Sequence, residues 1–353
     1  MPPATAKTSL GRFFEDFRAG EVFIHATPRT LTHGDVALYA ALFGGRFAVQ
    51  SADTFAAAIG YPRSPIDDLL VFHTVFGKTV ADISLNAIAN LGYADCRFLK
   101  PVYSGDTISA TSWVIGLREN SNRQSGIVTV RSRGLNQRGE AVVEYVRWVM
   151  VRKRDPAADV PPPVSPELPA CVPSGELGVA CPSIDAARYD LALAGSDHRW
   201  GDYSVGEKID HVDGVTVEEA EHQIATRLFQ NNAKVHFNQF SEGKGRFGRR
   251  LIYGGHVISL ARALTFNGLA NAFHLTAING GRHVAPVFAG DTVFAWSEIL
   301  DCAALPQRSD VGALRVRTIA TSNRPCFDFP SREGEGYAGN VVLDFDYWVL
   351  APH

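Results

Sequence analysis

Only five cysteines occur in the 353 residues: Cys96, Cys171, Cys181, Cys302 and Cys326. Their odd number, wide spacing and lack of a Cys-x-x-Cys pair argue against a disulfide framework and a zinc site, so no metal is expected. Free thiols in a reducing cytoplasm are the reading instead. Excess charge is also missing. The formal net charge is −3, so no global basic field exists to hold nucleic acid, and a phosphate-bearing ligand needs a local basic patch. No apolar run approaches the length of a bilayer span, and Met1-Pro2-Pro3-Ala4-Thr5-Ala6-Lys7 opens no apolar signal region. The remainder is ordinary globular material, 46% hydrophobic and 20% charged, enough for about two domains that each bury a core.

The chain repeats itself. Pro101-Val102-Tyr103-Ser104-Gly105-Asp106-Thr107 returns as Pro286-Val287-Phe288-Ala289-Gly290-Asp291-Thr292, with Arg97 and Arg282 equally far upstream. Asp16-Phe17-Arg18-Ala19-Gly20-Glu21 returns as Asp202-Tyr203-Ser204-Val205-Gly206-Glu207, at the same interval to within one residue. Two anchors at one interval mean one fold written twice, so the copies can be compared position by position. Copy one spans residues 10–153 and copy two 198–351. Between them Pro156, Pro161, Pro162, Pro163, Pro166, Pro169, Pro173 and Pro182 lie in a segment read as an extended linker, 154–197.

Each copy reads in the same order. A short strand follows Gly-Glu, and a threonine-capped amphipathic helix comes next. Thr32 caps the first such helix, with a stripe of Val36, Leu38, Tyr39 and Leu42, and Thr216 caps the second. A more apolar helix follows over 69–83 and 254–266. The strands then run 93–102, 107–117, 125–135 and 141–151 in copy one, and 276–286, 292–300, 313–320 and 341–350 in copy two. Gly105-Asp106 and Gly290-Asp291 are read as turns. This order gives an α+β unit in which a curled antiparallel sheet wraps one long helix, the hotdog arrangement. Two in tandem join their sheets edge to edge.

Copy two carries Gln230-Asn231-Asn232-Ala233-Lys234-Val235-His236 just after its first helix. Here the chain resembles the MaoC-like (R)-specific enoyl-CoA hydratases, whose motif at this place reads Gly-Asp-x-Asn-Pro-(Leu/Ile/Val)-His with Asp and His as the catalytic pair. The paired Pro-Val-x-x-Gly-Asp-Thr runs extend the resemblance to both halves. His236 and Val235 fall on the motif, whereas Asn231 stands where the family has aspartate, and Ala233 and Lys234 stand where it has asparagine and proline. Double length and this degenerate motif are more specifically similar to the 2-methylfumaryl-CoA (mesaconyl-CoA) hydratase subgroup. That likeness implies water addition to a short 2-enoyl-CoA, giving β-methylmalyl-CoA, with no cofactor beyond the coenzyme A of the substrate. Tyr253-Gly254-Gly255-His256 sits where the family has a His-Gly-Met run whose glycine N–H faces the thioester, so the resemblance gives Gly254 that role.

The chemistry needs a base for the attacking water, donors for the enolate oxygen and an acid for the α-carbon. A histidine near its ordinary pKa suits the first and helix N-terminal amides the second. Asn231 can orient water but cannot exchange a proton near neutral pH; Asp210, Asp213 and Glu242 stand as candidate acids. Copy one has Gly45 and Gln50 at the aspartate and histidine positions, which places one active site in copy two. Between His236 and Gly254 run four cations, Lys244, Arg246, Arg249 and Arg250. A guanidinium clamps a carboxylate in two-pronged geometry, so a dicarboxylic acyl-CoA is expected, its free carboxylate on Arg249 or Arg250. The coenzyme's phosphates are the competing role. Gly243-Lys244-Gly245-Arg246-Phe247-Gly248 matches Gly-x-Gly-x-x-Gly, but no strand precedes it in a βαβ unit, which argues against a dinucleotide fold. A hotdog thioesterase and a non-catalytic acyl-CoA binding subunit remain as alternatives, and a homodimer is possible.

Overall fold

The computed structural model describes residues 7–306 and 308–353; the opening residues 1–6 lie outside it. Its strands are β1 (Val22–Ile24), β2 (Arg29–Thr30), β3 (Ala87–Phe98), β4 (Thr107–Glu119), β5 (Ser125–Leu135), β6 (Ala141–Arg152), β7 (Lys208–Thr216), β8 (His274–His283), β9 (Thr292–Ala304), β10 (Val311–Ser322), β11 (Arg332–Glu333), β12 (Gly336–Tyr337) and β13 (Val341–Pro352). One antiparallel sheet runs β1-β4-β5-β6-β3-β8-β13-β10-β9-β7, with β2 also on β4. The order reads alike from either end, as a duplicated unit must. The copies meet where β3 pairs with β8, in the register Tyr93↔Gly281 and Cys96↔Ile278. The edge-to-edge double hotdog expected from the repeat is what forms.

Each half wraps its own apolar helix, Asp68–Thr79 and Gly254–Leu264, along which almost every residue is buried. The two helices share one core, which contains Phe72, Phe76, Val257 and Leu260 together with Phe229 and Tyr347. Contact across the copies is close enough that a Cβ at Gly77 would overlap the Phe229 carbonyl. The repeated Gly-Asp runs are turns that join β3 to β4 and β8 to β9. Gly105 and Gly290 adopt φ of +100° and +92°, where glycine is favoured. Asp106 and Asp291 each accept from the backbone N–H three residues back, at 2.9 Å.

Three expectations change. Thr32 caps its helix, but Thr216 ends β7 with its hydroxyl on Thr292, and the helix of copy two begins at Glu219 with no side-chain cap. Leu38, expected on the apolar stripe of the first helix, is exposed. The proline-rich segment is no bare tether. It lies on the sheet as a further layer: Val164 bridges to Leu117, the Val172 and Gly178 amides donate to Asn279 and Thr276, and Val172, Leu177, Ile184 and Tyr189 are buried in a cluster with Trp348 and Leu350. Proline cannot continue a helix or a central strand, but its ring and its apolar neighbours can still cover one.

Candidate active site

The helix Glu219–Leu228 is followed by Phe229 and Gln230, the latter held at φ +56°, and the turn buries Asn231. The Asn231 Oδ1 accepts from the Ala233 amide at 3.1 Å, which starts the short helix Lys234–Phe237 and so fixes His236. The His236 Nδ1 donates to the Leu251 carbonyl at 3.0 Å. A carbonyl only accepts, so Nδ1 carries the proton and Nε2 keeps its lone pair. Nε2 has no hydrogen-bond partner among the described residues. Burial lowers the pKa of His236 to about 4, against a smaller upward pull from the Leu251 carbonyl. The ring is therefore neutral near pH 7, as a base must be.

The apolar helix of copy two presents its N-terminus to the same space. Its cap residue, Tyr253, places no side chain over the first amides, and its own N–H donates to Nε2 of His222 at 2.8 Å. The Gly254 amide donates to no acceptor among the described residues. In copy one the same helix start is closed, because the Asp67 carboxylate accepts from the Leu69 amide at 2.9 Å. Gln50, at the histidine position there, donates to the Phe273 carbonyl. Of two sites written alike, one is plugged by its own side chains and the other is open.

Asn231, His236, Tyr253, Gly254 and His283 line one cavity of about 330 Å³. Its far wall is copy one: Phe76, Asn90, Tyr93 and Arg147. The site thus lies between the two units rather than inside one of them. A family model described as mesaconyl-CoA hydratase matches residues 4–329. The chain belongs to the mesaconyl-CoA hydratase family. It is 64% identical to a β-methylmalyl-CoA dehydratase of Chloroflexus aurantiacus, over 99% of each chain. It is 60% identical to a mesaconyl-CoA hydratase of Cereibacter sphaeroides, over 98% of this chain and 99% of the other. A solved MaoC domain protein dehydratase from Chloroflexus aurantiacus superposes with a TM-score of 0.97, at 63% identity and 99% coverage of both chains.

Not every residue expected at the site of this family member reaches it. Of the basic loop only Arg246 lines the cavity, beside Phe247. Arg249 stacks on the Phe288 ring 3.9 Å away, and Lys244 lies over the Phe240 ring at 4.2 Å. Arg250 is taken by Glu219 and the Phe237 carbonyl. The expectation that Arg249 or Arg250 meets a substrate carboxylate is therefore corrected: both guanidinium groups are turned to other partners, outside the cavity. Gly255 does not line the cavity either; a Cβ there would overlap the Tyr253 and His73 rings, so it serves packing. No Asp or Glu is among the lining residues, which removes Asp210, Asp213 and Glu242 as proton donors. From the sequence, His283 is read as structural, and Tyr93 and Arg147 carry no site role. One signal for His283 was present: the position after Arg97, which matches Arg282, is Phe98, so the copies differ there.

The site also sets an acid limit on the fold. Burial lowers His73 to about 3, His222 to about 2, and His211, His236, His256 and His283 to about 4. These folded values lie below the unfolded value near 6.5, so between them the unfolded chain binds protons that the folded one refuses. The stabilisation is complete above about pH 6.5 and is lost as pH falls toward 4. Asp67, raised to about 6 chiefly by burial and then by Asp68, acts in the opposite direction but alone. The melting temperature should drop by at least about 5 °C between pH 7.5 and pH 5. Equal values by calorimetry at the two pH values would contradict neutral burial of this group.

Proposed function

We propose that the chain catalyses the reversible hydration of 2-methylfumaryl-CoA to β-methylmalyl-CoA in the cytoplasm, with coenzyme A entering only as part of the substrate. The observation that carries the reading is the pairing, in one cavity, of an imidazole Nε2 and a helix N-terminal amide that have no hydrogen-bond partner among the described residues. The thioester oxygen accepts from the Gly254 N–H, which sharpens as negative charge grows on that oxygen. Water sits between the Asn231 amide and Nε2 of His236. As its oxygen bonds to the β-carbon, its proton passes to Nε2 and the double-bond electrons move to the α-carbon and the thioester oxygen. His236 then returns the same proton to the α-carbon. One carrier is sufficient because the hydroxyl and the proton added come from one water, so Asn231 need only orient it. Arg246, the one cation of the basic loop that lines the cavity, serves the coenzyme's phosphates. A homodimer is compatible with this site, which a single chain completes.

Incubation with mesaconyl-CoA tests the assignment. Loss of the conjugated-thioester absorbance without release of free thiol is expected. Thiol release at the same rate would make the protein a thioesterase, and no change in either signal would make it a binding subunit.

A further inference from the structure

Several arginines on this sheet are matched to carboxylates: Arg131 to Asp95 and Glu144, Arg315 to Asp346, Arg317 to Asp344. Arg147, on β6, is the exception inside the cavity. Its residue is fully buried, yet it forms no ion pair with a described residue. Its Nη2 donates to the hydroxyls of Thr79 at 2.9 Å and Ser84 at 3.2 Å, and its Nη1 reaches Oδ1 of Asn90 at 3.4 Å. All of these acceptors are neutral. Its Nε has no partner, and neither has Nδ2 of Asn90. Two unused donors and one buried positive charge stand together in the wall of the cavity. The other neighbour of this charge is the Phe76 ring, 4.4 Å away, which offsets only part of the cost of an unpaired buried charge, and unmet buried donors add to that cost. Burial lowers the pKa of Arg147, but a guanidinium remains charged near neutral pH. The matching position in copy two, read from the shared tryptophans Trp148 and Trp348, is Tyr347, so the charge belongs to this site alone.

We propose that Arg147, with the Asn90 amide, is the receptor for the free carboxylate of the dicarboxylic acyl-CoA. The inference rests on the function proposed above and names the group that selects its substrate. In 2-methylfumaryl-CoA the carboxylate is attached to the β-carbon, on the side away from the thioester. With the thioester oxygen at Gly254 in copy two, the carboxylate extends toward copy one, where Arg147 lies. Copy one then supplies the specificity and copy two the chemistry, which gives the duplication a division of labour. The carboxylate also supplies the counter-charge that no described residue gives Arg147.

Binding of two saturated analogues, 2-methylsuccinyl-CoA and 2-methylbutyryl-CoA, measured by calorimetry in wild type, Arg147→Met and Arg147→Lys, decides the matter. The analogues differ only in the distal carboxylate. Wild type should prefer the dicarboxylic one by about 10- to 100-fold, the worth of charge-assisted hydrogen bonds. Arg147→Met should lose that preference and melt no lower than wild type without ligand, because it removes an unpaired buried charge; a merely structural arginine would lower the melting temperature. Arg147→Lys keeps the charge without the fork and should keep only part of the preference, which covers the case in which the Met variant does not fold. An unchanged preference in either variant, or none in wild type, overturns the proposal. If wild type fails to hydrate mesaconyl-CoA, the function falls; if it hydrates mesaconyl-CoA and the preference survives in the variants, only the arginine does.

Discussion

Replacing His236 by alanine is expected to lower kcat by about 10³- to 10⁴-fold, the upper range for loss of a proton-transfer group. The proposed mechanism makes the imidazole the proton carrier for both halves of the addition, and no carboxylate among the cavity's lining residues can take over. The fold should survive, since the ring's one hydrogen bond is to the Leu251 carbonyl near the surface loop. Gln50→Ala should leave kcat nearly unchanged, because Gln50 holds only the Phe273 carbonyl in the closed copy. The pH profile gives a second reading. A histidine at its ordinary pKa would cut kcat/KM below about pH 6.5, but burial moves His236 to about 4. The neutral form is required in both directions. Initial rates taken straight after a pH jump should therefore be flat from pH 5 to 8 and fall only near 4. An acid limb near 6.5, or a His236→Ala variant that keeps a tenth of wild-type turnover, would remove this histidine from the reaction.

The repeat made the architecture legible, because identical turns at one interval can only come from a duplicated unit, and strand alternation between them fixed the sheet. β5 begins and ends where the hydrophobic pattern placed it, Ser125–Leu135. The proline-rich segment was misjudged because composition reports what backbone a stretch can adopt, not which surface it covers; Tyr189 and Ile184 are held by tertiary contacts that local pattern does not encode. His236, Asn231 and Gly254 were legible through a local motif, and the structure brings them to one cavity. Arg147 was not legible. It reads as one more polar residue on an alternating strand, and only the absence of a facing carboxylate, a property of three-dimensional packing, separates it from Arg131 on the neighbouring strand. The basic loop failed for the converse reason. Arg249 and Arg250 adjoin the site in sequence, yet each side chain found a local partner, Phe288 and Glu219, facing elsewhere.

Gly254→Ala should cost about 10²- to 10³-fold in kcat, the loss typical of one removed oxyanion donor, with a smaller effect on KM. A Cβ at this position would overlap the His283 imidazole, with Nδ1 only 2.7 Å away. That ring is tied in place by Tyr93, whose hydroxyl lies 3.3 Å from Nε2, so a retreat would break this contact. The start of the helix must move instead, and the Gly254 amide moves with it. Displacing the donor affects the enolate more than the ground-state thioester, since the hydrogen bond strengthens as charge develops. The double variant Gly254→Ala/His283→Ala separates two causes. If the ring acts only as an obstacle, its removal lets the helix return and restores kcat to within about tenfold of wild type. If the imidazole itself contacts the substrate, the double variant stays as slow as the single one, and His283→Ala alone is slow as well. A Gly254→Ala enzyme with kcat close to wild type would place the oxyanion contact elsewhere and leave this glycine a packing role only.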